Sequence, residues 1–172
     1  MNIVLVPIGD FDPEALQQLK GSLGTVFGCP LQVDKPVSLP DDAFDRSRCQ
    51  YLSDSLLDLL RQCKKGSEHV LGVTEADIYT HGLNFLFGQA DGINRVALIS
   101  LSRLKDEGSA VPGGEKLLYE RMLKEAVHEL GHTLGLDHCG DAGCVMHFSN
   151  SLADTDVKGS YFCGRCRPKL IE

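Results

Sequence analysis

The stretch HELGHTLGLDHC, residues 128–139, holds three of the chain's six histidines together with a glutamate and a cysteine. His128 and His132 stand four apart near the end of EKLLYERMLKEAVHELGHTL, residues 115–134, where Leu117, Leu118, Met122, Val127 and Leu130 supply the apolar side chains of a helix. One helical turn takes about 3.6 residues, so both imidazoles leave the same face and can reach one metal ion. Glu129 is rotated about 100° from His128, which lets it approach a metal-bound water without being a ligand. Gly135 predicts the end of the helix, because a sharp reversal needs a left-handed backbone that glycine adopts at little cost. His138 then swings back as a third ligand. Three neutral imidazoles leave one zinc position open, and an open position separates a catalytic zinc from a structural one.

The rest of the chain reads as strands alternating with helices. Residues 2–8 (NIVLVPI) are apolar and β-branched, a buried strand. Asp12 caps a helix with Pro13 at its first position, and Gly21 and Gly24 are expected to end it. Residues 25–37 look extended, with two prolines marking an edge. Residues 51–63 have helical spacing, and 69–73 and 95–101 read as strands. LNFLFGQA, residues 83–90, reads as a further strand before an Asp91-Gly92 turn. After Gly135 the composition shifts to Gly, Cys, Asp and Ser without a long periodic segment, so residues 139–172 need a staple such as a metal. The expected fold is therefore α/β (α+β): a mixed twisted sheet, a long helix carrying the histidines, and a small irregular C-terminal lobe.

Bulk properties narrow the function classes. A chain of 172 residues with 42% hydrophobic residues suits one domain with an aliphatic core. A net charge of −7 disfavours nucleic acid and anionic membrane as partners. The N-terminus has no basic leader, and no apolar run reaches membrane-spanning length, so a cytoplasmic protein is expected. Seven cysteines cannot all pair within the chain, and cytoplasmic thiols stay reduced. Cys29, Cys49 and Cys63 are scattered and read as buried thiols or incidental surface residues. Cys139, Cys144, Cys163 and Cys166 crowd the C-terminal part.

HELGHTLGLDH is similar to the metzincin signature HExxHxxGxxH. Cys139 after the third histidine, then Cys144, Met146 and the Cys163-Gly-Arg-Cys166 pair, narrow the resemblance to the archaemetzincins. The resemblance implies a single metalloprotease domain, with an upper subdomain (1–135) and a lower one (136–172) divided by a cleft. It implies two zinc ions: a catalytic one on His128, His132 and His138, with Glu129 as general base, and a structural one on Cys139, Cys144, Cys163 and Cys166. Met146 would lie in a turn beneath the catalytic zinc. The edge strand of the sheet would face the cleft and pair with an extended substrate, and residues 83–90 are the candidate. His147 and Phe148 stand where several metzincin families place a tyrosine, so no oxyanion role carries over from that residue. A monomer acting on a peptide or protein is expected.

Successive side chains of an extended segment point to opposite sides, so His138 can face one metal and Cys139 another. Other readings remain open at this point. CxxC is also a redox motif, although here it sits near the C-terminus with two more cysteines upstream. A zinc ribbon with Arg165, Arg167 and Lys169 around it could meet nucleic acid, against the acidic charge of the whole chain. A zinc-stabilised binding protein is a third reading, and an intact Glu129 argues against it. His69 and His81 read as surface or polar-core residues. His147, beside Met146, is a candidate for a role in the cleft.

Overall fold

The structure, a computed structural model, describes residues 1–105 and 114–170. Its centre is a five-stranded sheet in the order β2-β1-β5-β8-β7. Strands β1 (Ile3–Ile8), β2 (Leu31–Val33), β5 (His69–Thr74) and β8 (Val96–Ser100) are parallel, and β7 (Gly88–Asp91) runs antiparallel to β8 at one edge. β5 and β8 are buried along their whole length, which is why they read as unbroken apolar runs. Alternation splits their side chains between two layers. Ile3, Leu5, Leu71, Val73, Ala97 and Ile99 pack against α1 (Pro13–Phe27) and α3 (Gly114–Thr133). Val6, Ile8, Val70, Val96 and Leu98 pack on Leu56, Leu57 and Leu60 of α2 (Ser53–Cys63). A small second sheet, β3 (Phe44–Asp45), β4 (Gln50–Leu52) and β6 (Ile78–Tyr79), flanks it. Among the described residues no helix is long and apolar enough to cross a membrane.

Three expectations need correction. The first helix does not stop at Gly21 or Gly24. It starts on the Asp12 cap and Pro13 as expected but runs to Phe27, ending where Gly28 takes φ 68°. A helical glycine costs about 1 kcal/mol, less than the burial of Leu23, Val26 and Phe27 returns. Second, only the end of LNFLFGQA is strand. The carbonyls of Leu83 and Asn84 are taken by Arg48 and that of Asn84 also by Gln50, while Leu86 N–H bonds to Ile78. The ladder with β8 therefore begins at Gly88, and the segment before it is an irregular wall. Third, the C-terminal lobe contains a helix, α4 (Leu152–Val157), nucleated by a Ser151–Asp154 capping box. Arg121 of α3 grips Asp156 with two bonds of 2.7 Å, and Lys124 donates to the carbonyls of Thr155 and Asp156.

Candidate active site

Helix α3 brings His128, Glu129 and His132 to one end of the sheet. It closes in a Schellman motif: Leu136 N–H bonds to Gly131 O (3.0 Å) and Gly135 N–H to His132 O (3.1 Å), with Gly135 at φ 85°. The reversal does two things. It turns His138 back so that its ring lies 5.3 Å from that of His128 and 4.8 Å from that of His132. It also presents the Leu136 carbonyl to His132 Nδ1 at 2.8 Å. His128 Nδ1 donates to Val145 O, also at 2.8 Å.

These two bonds fix the tautomers. With each Nδ1–H spent on a carbonyl, each Nε2 carries a lone pair. The two Nε2 atoms are 3.1 Å apart, a repulsive arrangement unless a cation lies between them. Ligand atoms of all three histidines fall within 4.8 Å of one another. Burial pushes His128 down to about 3 and lowers His132 and His138, which keeps all three imidazoles neutral, the form that binds metal. The donor set thus fits zinc at about 2.0–2.1 Å per nitrogen with one side free.

Glu129 is 6% exposed. Burial pushes its carboxyl well above the ordinary range, Glu125 adds to the rise and Lys158 opposes it. Its neighbour is Gly88 at the start of β7, where a Cβ would stand 2.7 Å from Glu129 Cγ and 2.8 Å from Oε1. The edge strand approaches the carboxyl this closely only because Gly88 has no side chain. The edge strand, Glu129, the three histidines and Phe148 line a cleft of about 480 Å³.

Met146 is fully buried, with its Sδ against Gly131 of α3. A Cβ on Gly131 would collide with its Sδ, so the glycine inside HELGH makes room for it. Cys139 N–H bonds to Met146 O at 2.8 Å, and His147 donates from Nδ1 to Cys139 O at 3.0 Å and from its backbone to Cys144 O. His147 therefore ties the chain between the two clusters and does not line the cleft. His69 is buried and bonded to Thr133 at the end of α3, and His81 is exposed.

The other four predicted ligands also converge. The Sγ atoms of Cys139, Cys144, Cys163 and Cys166 lie within 4.8 Å of one another, and the Cys139–Cys163 separation is 3.8 Å. A disulfide would require about 2.05 Å, whereas a tetrahedron with Zn–S of about 2.3 Å spaces its sulfurs by roughly 3.8 Å. Backbone N–H groups of Arg165 and Cys166 lower the Cys163 thiol to about 6. Cys29, Cys49 and Cys63 lie apart as free thiols.

Sequence reasoning missed Gly88, Gly131 and the buried pair Glu125–Lys158, whose charged atoms are 2.9 Å apart. The glycines matter through contacts with distant segments, which spacing does not reveal. Lys158 gave no signal, because a lysine in a polar tail reads as solvated.

The chain is similar to known proteins over most of its length. The model of peptidase family M54 matches residues 29–172. The chain is 44% identical to archaemetzincin of Methanocaldococcus jannaschii, covering 99% of this chain and 93% of that protein. It is also 44% identical to archaemetzincin of Pyrococcus furiosus, covering 99% and 92%. The crystal structure of archaemetzincin from Methanopyrus kandleri superposes with a TM-score of 0.86 at 40% identity, covering 99% of this chain and 93% of that one. That from Archaeoglobus fulgidus, complexed with malonate, gives 0.85 at 36%, covering 98% and 99%. The chain belongs to peptidase family M54, the archaemetzincins, and is a zinc metallopeptidase by family and fold.

Proposed function

We propose that the chain hydrolyses peptide bonds with one zinc ion on His128, His132 and His138 and keeps a second on Cys139, Cys144, Cys163 and Cys166. The observation that carries the first site is the pair of Nε2 lone pairs facing each other at 3.1 Å. Zinc held by the three histidines would supply a Lewis acid and lower the pKa of a nearby water toward roughly 7. The protein does the rest. Glu129, seated against Gly88, takes the proton of the attacking water and returns it to the leaving amine. The free edge of β7 borders the cleft and offers backbone groups to an extended peptide. The four thiols form a closed set that holds Met146 and the His138 turn in place.

In this reading the chain is a metzincin with its cleft between residues 1–135 and 136–172, working as a monomer in the cytoplasm. Unpaired thiols at zinc spacing favour a reducing compartment, and the charge of −7 disfavours nucleic acid. The test is cleavage of a diverse peptide library beside Glu129→Ala and a chelated control. Cleavage abolished in both supports the mechanism. Equal cleavage by Glu129→Ala removes Glu129 as the general base, whereas no cleavage by zinc-loaded parent moves the function to a zinc-stabilised binding protein.

A further inference from the structure

Beside the cleft lies a pocket of about 280 Å³ that also touches His128 and Glu129. Leu83, Phe85, Phe87 and Phe148 wall it. Leu83 and Phe148 are 52% and 50% exposed and form its mouth, whereas Glu125, 3% exposed, closes its inner end. An apolar cavity of about 150 Å³ admits benzene, so an aromatic side chain fits here with room to spare. The outer wall is pinned: Arg48 donates to Leu83 O (3.1 Å) and Asn84 O (2.9 Å), and the Arg103 guanidinium covers the Phe85 ring at 5.3 Å.

The inner end is unusual for a protein interior. Lys158 has a side chain 0% exposed, and its Nζ lies 2.9 Å from Glu125 Oε1 without a directed hydrogen bond. Thr155 also donates to that oxygen at 3.3 Å. The other charges on this face are engaged elsewhere, Arg121 with Asp156 and Lys124 with backbone carbonyls. Lys158 is thus the counter-ion of Glu125.

We propose that the Glu125–Lys158 pair determines which substrate residue enters this pocket. Balanced against each other, the two charges leave the inner end neutral. The pocket then takes a bulky uncharged side chain, aromatic or long aliphatic, next to the scissile bond. A charged side chain would shed its water and meet only a neutral unpaired group in the lining, the buried Ser149 Oγ, beside the Glu129 carboxyl. Lys158 touches no reacting atom and acts only through Glu125. The inference rests on the peptidase reading above.

The test is the cleavage profile of a randomised peptide library with zinc-loaded parent, Lys158→Met, Glu125→Gln and the double variant, with zinc content and thermal unfolding measured on each. The parent is expected to favour Phe, Tyr, Leu and Met over charged residues by about tenfold or more at one position beside the cut. Lys158→Met should gain about tenfold for Lys and Arg there, because a basic side chain supplies the missing counter-charge. Glu125→Gln should gain for Asp and Glu, and the double variant should return to the parent profile. If Lys158→Met does not fold, Glu125→Gln and the double variant decide, since the latter leaves no uncompensated buried charge. A parent that prefers charged residues, or folded single variants with the parent profile, overturns the proposal and leaves the peptidase reading standing. Zinc-loaded parent that cuts no peptide removes both.

Discussion

The histidine cluster ends at His138 and the cysteine cluster begins at the next residue, Cys139, yet they are built in opposite ways. Two of the three histidines project from a regular helix, and backbone carbonyls of Leu136 and Val145 lock their rings. That cluster opens onto the cleft, and its third ligand, His138, is exposed. The four cysteines come from turns, and two of them, Cys144 and Cys166, are buried at 1% and 6% exposure. The helix would persist without a metal, because its apolar face packs on the sheet. The turns around the thiols bury Cys144, Val145, Met146, Phe162 and Cys166 in the same core but have no strand ladder or long helix to hold their backbone. Between the clusters runs 144–147, which gives Val145 O to His128 and Met146 O to Cys139. An error in the cysteine lobe is therefore transmitted to the histidines more readily than the reverse.

The sharpest way to break this comparison is to remove one ligand from each cluster. Cys163→Ser should lower the zinc content by one equivalent and destabilise the protein by about 3 kcal/mol or more, some 6–12 °C in Tm. Peptide cleavage should fall about a hundredfold even with the histidines intact. His138→Ala should also stop cleavage but move Tm by only a few degrees. Calorimetry with metal analysis on the two variants decides, and a larger Tm loss in His138→Ala would reverse the hierarchy.

A second prediction separates position from ligation. Gly88→Ala would push a methyl group against Glu129 without touching a histidine. The expected result is a fall in kcat of about 10²-fold with zinc content unchanged.

The legible parts of the molecule are those encoded by near neighbours in sequence. His128, Glu129, His132, Gly135 and His138 were readable because helix geometry and one glycine turn convert spacing directly into a constellation. β1, β5 and β8 were readable because strands buried on both faces have no polar positions. The four cysteines were legible as a metal site only through resemblance, since spacing alone left redox chemistry open. Other features depended on tertiary contact. Leu83–Phe87 read as strand, but Arg48 and Gln50, more than thirty residues earlier, take its carbonyls. Gly21 and Gly24 read as a helix end, and burial on the sheet overrode them. Lys158 carried no signal in the sequence, because its partner Glu125 lies in another element.

The third prediction tests the packing behind α3. Burial holds His69 down at about 4, against about 6.5 in an unfolded chain. Below pH 6.5 the unfolded chain takes up a proton that the folded one refuses. This contribution is therefore fully present above about pH 6.5 and is lost as pH falls toward 4, with a ceiling of roughly 3 kcal/mol. His69→Gln should flatten that part of the Tm–pH curve. A curve parallel to the parent's would show that His69 does not set it.

The smallest effect is expected at the turn. Gly135→Ala places a Cβ at φ 85° and should cost about 1–2 kcal/mol, with a modest loss of zinc affinity because the Leu136 carbonyl orients His132. Urea unfolding and competitive chelation measure the two parts.

The central claim is that two neighbouring clusters hold two zinc ions in different ways. Anomalous diffraction at the zinc edge from crystals of the purified protein tests it most directly. The account predicts two peaks, one about 2.0–2.1 Å from a nitrogen of each of His128, His132 and His138, the other about 2.3 Å from four sulfurs. A single peak, or a disulfide joining Cys163 to Cys166, would contradict it.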